Sequence, residues 1–280
     1  MHRRGTIPFG LPPFHGWVRR LVLACASVFV LQVILTRYAP GLAAYLDYAA
    51  LVPRLVLTRG MVWQLVSYSF LHDPHNVWHL LLNMLTLWMV GSLEEMEWGS
   101  RRFLELYFFS VVGAGLTTIA FSYAHIFGAR TNDATIGASG GILGLLIALA
   151  VLDGNRQFMM FPLPFLIKVK YLVAIMVFVI LIETIQASPL SNVANVAHVG
   201  GLLFGFIWAK WVPRRGLGFE ASERYFSVRN AWHRWKRKRA SKKFQVYMRQ
   251  HDQPMRFDEH GNYVPPGKDK PNGSGSKWVN

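Results

Sequence analysis

The chain has 280 residues, of which 52% are hydrophobic and only 16% charged, and 30 Lys and Arg stand against 15 Asp and Glu for a formal net charge of +15. That balance excludes most acidic or disordered proteins, and with 10 Trp and 19 Phe it fits a membrane protein better than a soluble one of this size. The single Cys25 excludes an internal disulfide and any cysteine-rich zinc or iron–sulfur centre.

Charge is distributed unevenly along the chain. Residues 1–20 hold Arg3, Arg4, Arg19 and Arg20 and no acid; residues 21–209 hold nine basic and nine acidic groups; residues 210–280 hold 17 basic and six acidic. Between the basic ends lie six apolar stretches, roughly 20–35, 77–93, 103–123, 139–152, 171–187 and 193–212. They predict an all-α polytopic membrane protein, because backbone groups in lipid must be satisfied within each helix. Six spans put both termini on one side, and basic ends put that side in the cytoplasm. The expected partition is a basic N-terminus over 1–19, a six-span domain over 20–212 and a basic cytoplasmic tail over 213–280. The first stretch, after Arg19-Arg20, resembles a signal peptide, but small residues at a convincing cleavage site are missing and five further spans follow, so it reads as an uncleaved span.

Residues 36–76 are too long for a simple hairpin and too interrupted by charge and proline for a span. Tyr45, Tyr48 and Val52 recur at three- and four-residue spacing, which predicts either a short interfacial helix with those residues on one face or an ordinary external loop. Glu94, Glu95 and Glu97 form an acidic patch after the second span, on the expected inner side. The fourth stretch, 139–152, rises about 21 Å against a hydrocarbon layer of about 30 Å. Its polar lead-in, Thr131-Asn132-Asp133, must therefore descend into the bundle, which is tolerable only inside protein or beside a water-filled cavity. Glu183 in the fifth stretch reads as a gate or substrate-positioning group, or as a residue reaching the headgroup layer near the span's outer end. After Pro213, residues 222–245 carry Tyr225, Val228, Trp232 and Trp235 at helical spacing among the run WKRKRASKK. That predicts a basic amphipathic helix on an anionic inner leaflet; nucleic-acid binding is disfavoured because no base-reading architecture accompanies the charge. The last 25 residues, rich in Pro, Gly, Asp and Lys, read as disordered.

Three spans carry polar groups near their expected outer ends. IGASGGILG, residues 136–144, places Ser139 among Gly137, Gly140, Gly141 and Gly144, and as packing alone the glycines let two helices approach closely. His198, in VANVAHVGGLLFG, lies about 8 Å inside the sixth span, with Gly201 and Gly205 following on roughly its face. An ionisable group there is either a functional residue or a hydrogen-bonding core histidine. His79 and Asn83, four residues apart at the start of the second span, share a helical face. Acyl transfer needs a nucleophile, a base and donors for a developing oxyanion; these residues supply all three, although interhelical hydrogen bonding is the simpler alternative. No metal-ligand pattern is present and this chemistry calls for no cofactor.

The ordered set His79-xxx-Asn83, Gly137-Ala-Ser139-Gly140 and Ala197-His198-xx-Gly201-xxx-Gly205 resembles the rhomboid family of intramembrane serine proteases. The resemblance covers roughly residues 15–212 and includes Glu94 with the following Gly99-Ser-Arg-Arg-Phe103 segment. It implies a six-transmembrane-helix rhomboid-like bundle with a long first external loop in a bacterial inner membrane. It also implies a catalytic dyad of nucleophile Ser139 and general base His198, and an oxyanion site of His79, Asn83 and the Ser139 backbone N–H. Transmembrane proteins would be the substrates, entering past the fifth span and cut near the outer leaflet. A non-enzymatic relative that binds or escorts membrane clients is the alternative, and loss of Ser139 or His198 would mark it. The chain departs from the family at Gln64, where an arginine often follows the tryptophan matched by Trp63. The seven-residue separation of His72 and His79 is also stretched, by Asp73-Pro-His-Asn76.

Overall fold

A computed structural model describes residues 12–159, 166–186, 192–212, 217–250, 256–260 and 263–264. The chain divides into two compact units, Met1–Leu217 and Gly218–Asn280. Arg3, Arg4 and Pro213 lie outside the described residues.

The first unit begins with α1, Gly16–Tyr38. It stops where Ala39 precedes Pro40, since a residue before proline is pushed out of the helical region. Pro40 then opens α2, Pro40–Asp47, at a position where a missing N–H costs nothing. Pro53 opens α3, Pro53–Arg59, in the same way. The expected helix face of Tyr45, Tyr48 and Val52 does not form. α2 ends at Asp47, with Tyr48 as its C-cap, and Pro53 holds Val52 extended, with φ −116° and ψ 107°. A short α4, Gln64–Ser67, runs into a single 3-10 turn over Tyr68–Phe70.

The long helices follow: α5 (Val77–Trp98), α6 (Ser100–Tyr123), α7 (Ser139–Asp153), α8 (Val169–Gln186) and α9 (Asn192–Trp211). Only Gly99 separates α5 from α6, at φ 81°, a backbone state in which a side chain would be strained. An antiparallel hairpin that the apolar pattern did not foretell, β1 (Gln157–Met159) with β2 (Leu166–Lys168), joins α7 to α8.

α9 packs against α6 and α7, α5 against α1 and α7, and α8 against α7 and α9. Leu87, Phe103, Leu106, Tyr107, Leu145, Leu149 and Trp208 fill the centre and are buried. The outward faces are apolar too: Leu23, Val30, Leu31 and Ile34 on α1, and Ile175, Phe178, Ile182 and Ile185 on α8, are all exposed. Contiguous apolar surface of that kind is costly in water and at rest in lipid. Among the described residues, α1 and α6 are each long and apolar enough to cross a membrane, while α7 is a shorter apolar helix. The unit is thus an all-α, multi-helix membrane-associated fold with one small hairpin.

The acidic patch after the second apolar stretch is resolved residue by residue. The Glu95 carboxylate accepts the Trp17 and Val18 backbone N–H groups at 2.9 and 3.0 Å and the Ser100 hydroxyl at 2.5 Å, capping the N-terminus of α1. Glu97 pairs with Arg156, which also bonds Asp153 at 2.9 Å. Glu94 is fully buried, and neither of its oxygens has a hydrogen-bond partner among the described residues.

In the second unit, α10 runs Leu217–Gln250. Trp232 and Trp235 are exposed and carry Lys236 and Arg239 over their rings at 5.3 and 5.0 Å, each one helical turn on. Tyr225 and Val228 fall within α10, but their side chains lie outside the described residues. The expectation of disorder from residue 256 onward meets a correction: β3 (Arg256–Phe257) pairs with β4 (Tyr263–Val264). The turn signal is Asp258, whose carboxylate accepts the His260 N–H at 3.0 Å. Residues 265–280 lie outside the described residues.

Candidate active site

The segment before α7 has no secondary structure of its own, so its backbone groups need partners elsewhere. The loop after α1 supplies them. Leu51 and Thr135 exchange both N–H···O bonds at 3.0 and 2.9 Å, the Arg54 N–H donates to the Thr131 carbonyl at 2.8 Å, and the Gly137 N–H donates to the Tyr68 carbonyl at 3.0 Å. Tyr68 is itself anchored by its hydroxyl, which donates to the Val111 carbonyl of α6 at 2.8 Å.

Gln64, the departure noted in the sequence, holds that loop together. It is fully buried; its Oε1 accepts the Val52 N–H at 3.0 Å and its Nε2 donates to the Tyr48 carbonyl at 3.0 Å. Trp63 Nε1 reaches the same carbonyl at 3.1 Å, and the Ser67 hydroxyl donates to the Ala49 carbonyl at 2.7 Å. Two turns 12 to 18 residues apart are thus clamped by side chains rather than by a β ladder.

Ser139 is the first residue of α7. Ala138 before it offers no side-chain cap, so the first N–H groups of the helix have no partner in their own helix, and its positive dipole end is open there. From α9, His198 Nε2 lies 2.7 Å from Ser139 Oγ. With the hydroxyl as donor, Nε2 is the bare nitrogen and the ring proton sits on Nδ1. That atom is buried and has no hydrogen-bond partner among the described residues.

Gly137 adopts φ 121°, which only glycine tolerates, and a Cβ there would lie 2.9 Å from His79 Nε2 and 3.8 Å from Ser139 Oγ. His79 therefore stands beside the start of α7. Its Nδ1 accepts the Asp73 N–H at 3.4 Å, and the Asn83 amide donates to the His79 carbonyl at 3.0 Å. Neither His79 nor Asn83 bonds the Ser139 hydroxyl directly in the described structure. His72 packs edge-on against His79, ring centroids 5.2 Å apart, and the Gln32 side chain of α1 accepts its backbone N–H at 3.1 Å. Burial, and secondarily the nearby His79, hold the His72 pKa down to about 4. The stretched spacing of the two histidines thus leaves them in contact.

The glycines divide by role. A Cβ on Gly201 would stand 2.8 Å from Gly140 C and Cα, and one on Gly205 would stand 2.5 Å from Gly144 Cα, so these four residues form the contact between α7 and α9. Gly141 instead faces α6, 2.6 Å from Tyr107 by the same measure. Gly137, expected with the helix-packing glycines, lies outside α7 and serves the turn beside His79. Sequence reasoning missed Gly200, where a Cβ would meet the α6 backbone at Ala114 at 2.8 Å; the Gly200-Gly201 pair is the signal that α9 has two close neighbours. Glu183 is exposed on α8.

A protein-family model described as a Rhomboid domain matches residues 59–215. The chain is 30% identical over 154 residues to Rhomboid protease GluP of Bacillus subtilis, a match covering 55% of this chain and 27% of that protein. It is 31% identical over 165 residues to RHOMBOID-like protein 1 of Arabidopsis thaliana, covering 56% and 36% of the two. It is 29% identical over 153 residues to Rhomboid protease GlpG of Yersinia pestis, covering 55% and 49%. The matched stretch is thus less than half the length of each of these relatives.

Proposed function

The chain belongs to the rhomboid family, and from that premise we propose that it is an intramembrane serine endopeptidase that cleaves transmembrane proteins with a dyad of Ser139 and His198. The observation that carries the proposal is the 2.7 Å contact between Ser139 Oγ and His198 Nε2, made between helices by residues 59 apart in sequence. It also weighs against a client-binding relative without activity, for which neither group is needed.

In the proposed reaction His198 Nε2 takes the Ser139 proton as Oγ attacks the scissile carbonyl carbon. The same proton passes to the leaving amine, and water then hydrolyses the acyl-enzyme. Negative charge on the carbonyl oxygen would be met by the N–H groups at the uncapped start of α7, with His79 and Asn83 nearby. Asn83 serves there only if its amide leaves the His79 carbonyl, or if it acts by fixing the turn that carries His79. A dry bundle could be acylated but could not turn over, so the reading requires water at the Ser139 end.

The finer topology belongs to the same proposal. Helices α1, α5, α6, α7, α8 and α9 are taken as six spans over 20–212, with the loop of residues 39–76 in the outer headgroup layer. Residues 1–19 and 213–280 are taken as cytoplasmic, in a bacterial inner membrane. Exposed Tyr45, Tyr48 and Trp63 support the interfacial loop, and the basic ends support the orientation. Substrates would approach past α8, and those whose helix is readily broken would be preferred, since a protease needs an extended backbone. Exposed Trp232 and Trp235 among the cations of α10 support contact with anionic lipid of the inner leaflet, and nucleic acid is not a proposed partner.

The test is incubation of the purified protein with a model single-span substrate. Wild type cleaves it within the membrane segment, and Ser139→Ala and His198→Ala do not; equal cleavage by either variant contradicts the dyad.

A further inference from the structure

A cavity of about 470 Å³ opens on the loop of residues 39–76, lined by Val52, Arg54, Leu55, Thr58, Arg59 and Asn132. Two arginines, a threonine and an asparagine line it together with Val52 and Leu55, and no acidic residue does. Among the described residues neither arginine has an ion-pair partner, since the recorded ion pairs lie elsewhere. Arginines without a carboxylate partner are suited to phosphate, whose oxygens accept from their forked donors.

The surroundings say which phosphate. Leu57, Val62 and Trp63, on the same segment as the arginines, are 60%, 62% and 53% exposed. Apolar and indole side chains left open beside arginines belong at the boundary between hydrocarbon and headgroups. We propose that Arg54 and Arg59 bind the phosphodiester headgroup of an anionic phospholipid in the outer leaflet. The inference rests on the proposed placement of this loop in that headgroup layer.

Such a lipid would act on the active site through the backbone. The Arg54 N–H bonds the Thr131 carbonyl, and the neighbouring Leu51–Thr135 pair ties the same loop to the segment entering α7. Fixing α3 would fix the strap that delivers Ser139. Arg54 and Arg59 are positioning residues on this account and touch no reacting atom.

Amide hydrogen exchange on the full chain in neutral detergent micelles tests the site locally. Adding phosphatidylglycerol should slow exchange over residues 52–59 and 131–135 about tenfold, with a weaker effect from phosphatidylcholine and none from glycerol 1-phosphate at equal concentration. The Arg54→Gln/Arg59→Gln double variant should lose the effect over those residues while any slowing along α10 persists, and Arg59→Lys, which keeps the charge but not the fork, should keep only part of it. Ser139→Ala should respond like wild type, which separates this inference from the proposed proteolysis. Absence of local slowing, or slowing that survives in the double variant, overturns the site. Equal slowing by glycerol 1-phosphate overturns the lipid and makes the ligand a soluble anion.

Discussion

Replacing Gly201 with alanine probes how closely the chemistry depends on helix packing. The added Cβ would collide with the Gly140 carbonyl oxygen and stand 2.8 Å from the C and Cα of the same residue, and backbone cannot swing aside as a side chain can. An ordinary carbon–carbon contact is about 3.5–4.0 Å, so α9 must move away from α7 by roughly 0.7–1.2 Å. His198 lies one turn from Gly201 and Ser139 is the neighbour of Gly140. A shift of that size stretches the 2.7 Å contact to the edge of hydrogen bonding. A misplacement of about 1 Å is worth on the order of 100-fold in rate, and overpacking costs about 1–3 kcal/mol in stability. Cleavage of a model substrate reads the first effect and thermal unfolding in detergent the second. Gly41→Ala is the control, since nothing lies within 4 Å of a Cβ there. Wild-type cleavage and unfolding by Gly201→Ala would refute the claim that the α7–α9 contact holds the dyad.

Three further predictions follow from buried groups. Gln64→Leu leaves the Val52 N–H without its acceptor, while the Tyr48 carbonyl keeps the bond from Trp63 Nε1, for a loss of about 1–3 kcal/mol; exchange at Val52 should rise while α6 stays protected. Glu95→Ala removes the acceptor of two backbone N–H groups and the Ser100 hydroxyl, and should cost about 1–3 kcal/mol, read as faster exchange or proteolysis at the start of α1. His72 titrates near 6.5 when unfolded and near 4 when folded, so between those values the folded protein binds fewer protons. Stability is therefore unaffected by this group above pH 6.5 and falls as the pH drops toward 4, by up to about 3 kcal/mol; unfolding midpoints of His72→Phe should fall less steeply over that window.

The long helices and the meeting of Ser139 with His198 were legible because apolar runs and strips of small residues set which faces approach. Gly140 and Gly144 against Gly201 and Gly205 form a contact made of backbone, which sequence spacing conveys well. The loop was less legible. Its order comes from side chains such as Gln64 and Ser67 reaching carbonyls 16 and 18 residues away, and no local period encodes such pairings. Glu95 looked like one member of an acidic patch because its partners, the N–H groups at Trp17 and Val18, are backbone and lie 77 to 78 residues away. Val52 leaves the helical face for a simpler reason: Pro53 holds it extended, and three- and four-residue spacing does not register a proline.

The most direct measurement is labelling of the full-length protein with a serine-reactive fluorophosphonate, followed by mapping of the adduct. A single adduct is expected on Ser139 Oγ, absent in Ser139→Ala and strongly reduced in His198→Ala. An adduct on another residue, or labelling of Ser139 that His198→Ala leaves unchanged, would contradict the claim that His198 activates Ser139.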